Sequence, residues 1–203
     1  MSEQIEDKYI TIACVGDSIT YGLTIDNPED YGYPMQLQLL LGPRFIVNPS
    51  LGKCGAGVWH HGAPYTCTQE YRDAIKWPAD ILVVCLGTND AIYPMDDTFK
   101  QEFVEDYKLL IHQLIKESPH EKVYICQVPP VPGVKELSGA VTIINELIKS
   151  IAESCNYTLI DLYTPFLSRE DLFSDGVHPN EEGAAVIAKF IYQSIRDDKN
   201  KKD

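Results

Sequence analysis

Four residues of this chain have the side-chain types that an acyl-transfer site requires. Such a site needs a nucleophile, a base that takes its proton, a carboxylate that orients the base, and donors that stabilise an oxyanion. Ser18 in a Gly-Asp-Ser motif, His178 and Asp175 in an Asp-Gly-Val-His motif, and Asn89 in a Gly-Thr-Asn-Asp motif can fill these roles. The serine and asparagine motifs each follow an apolar stretch directly, and the motif with Asp175 and His178 lies in the last loop.

Each motif taken alone also has a simpler structural interpretation. Serine is a common helix N-cap, and Asn-Asp pairs form ordinary turns. The Gly-x-Ser-x-Gly nucleophile elbow is absent, because Thr20 occupies the position of its second glycine. The three-residue spacing of Asp175 and His178 allows the carboxylate to accept a hydrogen bond from Nδ1, while Asn180 is expected to cap the following helix.

The hydrophobic pattern indicates the elements that position these motifs. Short apolar runs rich in Ile, Val and Tyr predict five strands, at Tyr9–Val15, Phe45–Val47, Ile81–Leu86, Val123–Val128 and Tyr157–Ile160. Apolar residues at helical spacing predict helices at Pro34–Leu41, Thr98–Glu117, Val141–Ala152 and Glu181–Ile195. This alternation indicates an α/β protein with a parallel sheet covered on both faces. Ligands bind beyond the carboxyl ends of such strands, where all the polar motifs fall.

The sequence predicts one domain over residues 9–195. Residues 1–8 form a polar N-terminal extension, and the charged and amide residues 196–203 are expected to fray as a tail. No internal repeat or linker is present. The length of 203 residues fits a single α/β domain.

The charge balance disfavours nucleic-acid and membrane partners. The chain has 17 Lys and Arg against 30 Asp and Glu, a formal net charge of −13, which repels phosphate backbones and anionic lipid heads. No apolar run reaches the roughly 18 residues of a membrane-spanning helix. The first residues lack the basic and apolar segments of a secretory signal. We therefore expect a cytoplasmic protein, or a secreted one if a leader has been removed.

The cysteines and histidines do not indicate a disulfide scaffold or a metal centre. Six cysteines are too few for a disulfide-rich fold; Cys54 and Cys67 flank one loop and could pair in a secreted protein, and the sequence leaves open whether they do. No histidine pair lies at a zinc-ligand spacing, so His60 and His61 are expected to line the pocket rather than to bind a metal. We expect no metal and no organic cofactor. No sequence feature predicts the oligomeric state.

The combined motifs resemble the SGNH hydrolase superfamily, also called GDSL esterases and lipases, and the resemblance extends from Tyr9 to Ile195. It implies a flavodoxin-like three-layer α/β/α sandwich around a five-stranded parallel sheet. It also implies a catalytic triad with Ser18 as nucleophile, His178 as general base and Asp175 as its orienting carboxylate. The side-chain amide of Asn89 and the backbone amide of Ser18 would donate to the oxyanion.

The second motif departs from the family pattern, which has an asparagine followed a few residues later by an oxyanion-hole glycine. After Asn48, a gapless match places Lys53 at the glycine position, whereas a two-residue insertion places Gly55 there. We favour Gly55, with Gly52 as the alternative.

The substrate prediction rests on aromatic residues and on a finer resemblance. Tyrosine and tryptophan side chains suit sugar rings, and the stretch from Pro64 to Ile81 is similar to SGNH members of the sialate O-acetylesterase-like and carbohydrate esterase type. The favoured function is hydrolysis of short-chain acetyl esters on a carbohydrate, a small-molecule ester substrate. The expected pocket residues are Asp17, Tyr21, Trp59, Tyr65 and Val177. The alternatives are a lysophospholipase or thioesterase for longer acyl chains, an acetyltransferase, and a catalytically silent sugar-binding module.

Overall fold

A five-stranded parallel sheet forms the centre of the fold, in a computed structural model that describes residues 9–117 and 122–200. Its strands are β1 (Ile10–Gly16), β2 (Phe45–Asn48), β3 (Ile81–Cys85), β4 (Lys122–Cys126) and β5 (Thr158–Ile160). They lie in the order β2-β1-β3-β4-β5, and every neighbouring pair is parallel. This is the doubly wound order of flavodoxin-like folds, so the predicted fold class is confirmed.

The described residues form seven α-helices, which lie between these strands or after the last one. They are α1 (Ser18–Tyr21), α2 (Pro28–Tyr31), α3 (Tyr33–Leu41), α4 (Gln69–Ala74), α5 (Asp97–Glu117), α6 (Ser138–Cys155) and α7 (Glu181–Asn200). The three short helices α1, α2 and α4 have too few turns to produce a helical hydrophobic period, and the sequence pattern did not indicate them.

The helices cover both faces of the sheet and bury two separate hydrophobic cores. Successive residues of β3 alternate between these cores, because strand side chains point to opposite faces: Leu82 and Val84 belong to one core, and Val83 belongs to the other. The core that holds Leu82 packs against α5 and α6, and the other packs against α3 and α7. Both faces of β3 are therefore buried, which explains its uninterrupted apolar sequence.

Helix α7 continues past Ile195, where the sequence analysis placed the end of the domain. Its last turns are held by Asp198, whose Oδ2 lies 2.9 Å from Lys122 Nζ and accepts hydrogen bonds from Tyr124 at 3.0 Å and from Thr158 at 3.3 Å. These contacts join the helix to β4 and β5. The predicted extension 1–8 and the last three residues of the predicted tail lie outside the described residues.

No helix in the described part of the chain is both long enough and apolar enough to cross a bilayer. This agrees with the sequence, in which no sufficiently long apolar run occurs.

We predict that Asp198→Asn lowers the free energy of unfolding by about 1–2 kcal/mol at pH 7, since hydrogen bonds to a charged group are stronger than neutral ones. Partial burial raises the pKa of Asp198, but hydrogen bonds and the ion pair from Lys122 and Tyr124 outweigh it and lower the pKa below its usual value. A lowered pKa contributes stability above the unfolded-state pKa of about 4, and that stability is lost as the pH falls. The difference between mutant and wild type should therefore shrink between pH 7 and pH 3 in urea unfolding experiments. Asp197→Asn, at the exposed neighbouring position, is the control. An equal loss of unfolding free energy at pH 7 and at pH 3 would contradict the conclusion that the ionised form of Asp198 stabilises the fold.

Candidate active site

Ser18 lies in the first turn of α1, directly beyond the carboxyl end of β1, and its Oγ is 3.0 Å from Nε2 of His178. The helix is capped by Asp17 rather than by Ser18, because the Asp17 carboxylate accepts a hydrogen bond from the Ile19 amide at 2.9 Å. The serine hydroxyl is thus not used as a cap. Gly16 permits this turn, since a Cβ there would lie 1.9 Å from Thr20 Oγ1 and 2.8 Å from the carbonyl oxygen of Cys85.

His178 and Asp175, the predicted base and its orienting carboxylate, lie in one turn before α7. His178 Nδ1 lies 2.7 Å from Asp175 Oδ2, while Asp175 Oδ1 accepts hydrogen bonds from the amides of Val177 at 2.9 Å and His178 at 2.8 Å. A carboxylate can only accept, so Nδ1 carries the proton and Nε2 is left to accept from Ser18. Burial raises the pKa of Asp175, but the hydrogen bonds from His178 and Val177 outweigh it and keep the pKa below its usual value. Asp175 therefore remains ionised beside the imidazole.

A close approach of two glycines holds this turn in place. The Gly133 amide donates to the Gly176 carbonyl at 2.9 Å, and Gly176 has a φ of +81°. A Cβ on Gly176 would lie 2.5 Å from Gly133 Cα, so the two backbones touch without side chains between them. Asn180 caps α7 through its side-chain oxygen and the Gly183 amide at 3.0 Å, as predicted. Sequence analysis did not identify Gly133, although its Pro-Gly turn after β4 was a visible signal.

Asn89 follows β3 at the same edge of the sheet, and its Nδ2 donates to the Ala56 carbonyl at 2.9 Å. An amide nitrogen has two hydrogens, so this bond fixes the orientation of the side chain and leaves the second hydrogen available to an oxyanion. The contact also brings Asn89 next to the loop that contains both glycine candidates.

The two glycines occupy different environments. Gly52 is buried and pairs with Gly16 as a continuation of the sheet, and a Cβ there would lie 2.3 Å from the Tyr21 amide nitrogen. Gly55 is exposed, has a φ of +77° and directly precedes Ala56. The position beside Asn89 favours Gly55 as an oxyanion donor, whereas the environment of Gly52 indicates a packing role.

Asp90, which sequence analysis quoted without assigning it a role, anchors the loop that forms one side of the site. Its buried carboxylate accepts hydrogen bonds from the amides of Val58 at 2.9 Å and Trp59 at 2.9 Å. Gly57 is required beside it, because a Cβ there would lie 2.8 Å from Asp90 Oδ2. Burial raises the pKa of Asp90 to about 6, although the hydrogen bonds from the Trp59 and Val58 amides act to lower it.

Asp17 is the second buried carboxyl at this edge. Burial raises its pKa to about 7, which the Ile19 amide and the Thr88 hydroxyl oppose. The structure thus corrects its assignment to the substrate pocket, because Asp17 is 1% exposed and acts as a helix cap.

A cavity of about 450 Å³ opens beside Gly55. Its lining residues include Lys53, Cys54, Gly55, Ala56, His60 and Cys67. Cys54 and Cys67 are both free thiols on this cavity wall. The cavity therefore begins at the glycine that the preceding geometry favours for the oxyanion hole.

The remaining predicted pocket residues have different environments. Tyr65 is fully buried and donates to the Leu51 carbonyl at 2.7 Å, so the structure corrects its assignment to the pocket. Tyr21 is exposed on α1, and Val177 is partly buried beside the base. Trp59 is half-buried, and its Nε1 donates to Glu102 at 2.8 Å.

The structure also brings His60 and His61 together with Glu102 of α5, which the spacing of histidines along the sequence did not indicate. One potential ligand atom from each of these residues lies within 4.8 Å of the other two. The two consecutive histidines are visible in the sequence, but no sequence pattern indicates that their loop lies beside α5.

Comparison with known proteins places these motifs in a family. The chain matches the GDSL-like Lipase/Acylhydrolase family over residues 14–186. It is also 31% identical to an acetylxylan esterase of Xylanibacter ruminicola, an alignment that covers 94% of this chain and 44% of that protein. The chain thus spans less than half the length of this relative.

Solved structures with low sequence identity share the fold. A member of the lipolytic G-D-S-L family from Veillonella parvula superposes with a TM-score of 0.69 at 23% identity, covering 91% of this chain and 97% of that one. A family two carbohydrate esterase from Clostridium thermocellum, solved with cellohexaose, gives a TM-score of 0.68 at 20% identity, covering 94% and 65%. These likenesses agree with the sheet order described above.

We predict that Gly176→Ala lowers kcat for p-nitrophenyl acetate by ten- to a hundred-fold with little change in KM. The added Cβ would overlap Gly133 and strain a positive φ, and misplacing a catalytic group by about 1 Å can cost on the order of a hundred-fold in rate. Gly139→Ala in α6 is the matched control, because its Cβ would meet no atom within 4 Å. Circular dichroism melting should accompany the kinetics. Wild-type kcat in folded Gly176→Ala would show that the histidine turn does not depend on this contact.

Proposed function

Because this chain belongs to the GDSL-like lipase/acylhydrolase family, we propose that it is a serine esterase in which Ser18, His178 and Asp175 form the catalytic triad. The observation that carries the proposal is the continuous hydrogen-bonded chain from Ser18 Oγ through His178 to Asp175, with separations of 3.0 Å and 2.7 Å. These distances are within the range expected of a nucleophile, its base and the orienting carboxylate.

The first half of the reaction forms an acyl-serine. His178 Nε2 takes the hydroxyl proton as Ser18 Oγ attacks the ester carbonyl carbon. The resulting imidazolium is stabilised by Asp175, whose lowered pKa keeps it ionised. The tetrahedral intermediate then collapses, and His178 returns the proton to the departing alcohol. In the second half, His178 takes a proton from water as the water oxygen attacks the acyl carbon and forms a second tetrahedral intermediate. This intermediate collapses with cleavage of the bond to Ser18 Oγ, which receives the proton from His178, and the acid is released.

Three donors at the sheet edge stabilise the oxyanion of both intermediates: the Ser18 amide, the second hydrogen of Asn89 Nδ2, and the Gly55 amide. The Ser18 amide belongs to the first turn of a helix, where backbone amides lack intrahelical partners. The contact between Asn89 and Ala56 supports Gly55 as the third donor. Removing one donor of this kind costs roughly 10²–10³ in kcat.

The substrate we propose is an acetyl ester on a carbohydrate. The relative in Xylanibacter ruminicola bears the name acetylxylan esterase and aligns with 94% of this chain. The cavity beside Gly55 has room for part of a sugar as the alcohol portion.

We predict that Ser18→Ala reduces kcat for p-nitrophenyl acetate by at least about 10³-fold, since the variant has no nucleophile while the oxyanion donors remain. The folded protein should also lose labelling by a fluorophosphonate ester. Ser150→Ala, at an exposed position of α6, is the matched control and should retain both properties. Wild-type turnover in Ser18→Ala would refute the triad.

We predict that activity falls along a series of p-nitrophenyl esters from acetate to octanoate, because the proposed site acts on acetyl groups, as the name of the Xylanibacter ruminicola relative indicates for that enzyme. Release of acetate from acetylated xylo-oligosaccharides should depend on Ser18, with Ser18→Ala as the background control. A preference for octanoate would instead support a lysophospholipase or thioesterase. Product analysis with an added sugar acceptor distinguishes hydrolysis from acetyl transfer.

A further inference from the structure

Two consecutive histidines face two carboxylates across the gap between α5 and the loop that contains Trp59. His60 and His61 lie on the loop, while Glu102 and Asp106 lie one helical turn apart on α5. His60 Nδ1 is 2.7 Å from Asp106 Oδ2, and His61 Nε2 is 3.9 Å from Glu102 Oε2. None of these residues belongs to the proposed catalytic triad. The cluster therefore needs an explanation of its own.

The donor set and its spacing suit a transition-metal ion. Ligand atoms from His60, His61 and Glu102 lie within 4.8 Å of one another. Zinc bonds of about 2.0–2.2 Å to nitrogen and oxygen place neighbouring ligand atoms of a tetrahedral site somewhat over 3 Å apart. The side chains of His60 and His61 are 48% and 60% exposed, so they can rotate by the small amount needed to close on an ion.

The surrounding contacts orient these ligands in advance. Asp106 accepts hydrogen bonds from the backbone amide of His60 at 2.8 Å and contacts its Nδ1, which leaves Nε2 of the ring for a metal. A carboxylate bound to the outer nitrogen of a metal-ligating histidine is a recurrent feature of zinc sites. On the other side, the Trp59 indole contacts the His61 ring edge-on, with centroids 5.1 Å apart, and donates to Glu102.

The loop that contains His60 and His61 is also held by Asp90, whose carboxylate accepts hydrogen bonds from the amides of Val58 and Trp59. His60 also lines the cavity that begins at Gly55. An ion bound by His60, His61 and Glu102 would therefore fasten one wall of this cavity to α5. The net charge of −13 further raises the local concentration of cations at the surface.

We propose that His60, His61 and Glu102 form a binding site for one divalent transition-metal ion, with zinc as the expected ion. Two imidazoles and one carboxylate favour zinc over magnesium and calcium, which prefer all-oxygen ligand sets. Three protein ligands leave a fourth coordination position for water. The site stabilises the cavity wall and takes no part in the proton transfers of ester hydrolysis.

The test is isothermal titration calorimetry of the chelator-treated full chain with zinc chloride, with magnesium chloride as the comparison. We expect one equivalent of zinc to bind, no comparable heat with magnesium, and a higher melting temperature with zinc. Cobalt should give the visible absorption bands of a four-coordinate complex. His61→Ala and Glu102→Gln should each weaken zinc binding at least ten-fold.

His112→Ala is the matched control, because His112 is an exposed histidine on α5 outside the cluster. It should bind zinc as the wild type does. Ser18→Ala should also bind zinc normally, so the result does not depend on esterase activity. Absence of stoichiometric zinc binding, or binding that persists unchanged in both His61→Ala and Glu102→Gln, would overturn the proposal.

Discussion

The hydrogen bond between Ser18 Oγ and His178 Nε2 joins residues 160 positions apart in the chain, and the rest of the site is arranged so that it can form. A parallel sheet makes this possible, since the carboxyl ends of all strands meet at one edge. The serine reaches that edge on a short helix capped by Asp17, and the histidine reaches it on a turn seated against Gly133. Neither the Asp17 cap nor the Gly133 contact involves the reacting atoms, but both determine the positions of Ser18 Oγ and His178 Nε2.

Buried carboxyl groups carry much of the remaining order at the sheet edge. Asp17 and Asp90 are each 1% exposed, and both serve backbone amides rather than cationic side chains. Burial disfavours their charged forms, which is the main reason their pKa values rise to about 7 and about 6. Asp90 thereby fixes the loop that contains Trp59, and Asp17 fixes the four-residue helix α1, neither of which has a hydrophobic core of its own. Two of the 30 acidic side chains of the protein thus lie in its interior.

Strand and helix positions were predictable because their signals are local. The five strands are continuous apolar runs, and α5, α6 and α7 have clear helical periods, so the sheet edge and the motifs beyond it followed from the sequence. Contacts between a loop and a distant segment were not predictable, because no short-range sequence pattern indicates which part of the chain a loop will contact. The meeting of Gly133 with Gly176, the anchoring of Trp59 by Asp90, and the convergence of His61 with Glu102 are of this kind. Tyr65 was misassigned because a tyrosine has the same sequence signal whether its hydroxyl meets a sugar or the Leu51 carbonyl.

The glycine contact between residues 133 and 176 also has a consequence for folding kinetics. It connects the segment after β4 to the turn before α7, and that turn must then meet the helix that follows β1. Contacts between segments so distant in sequence close slowly, because their loop entropy is lost before they contribute stability. The native positions of Ser18 and His178, the proposed nucleophile and base, therefore arise only when distant parts of the chain have docked. Recovery of catalytic turnover after dilution from denaturant therefore reports completed tertiary assembly, whereas far-ultraviolet dichroism reports only the helix content.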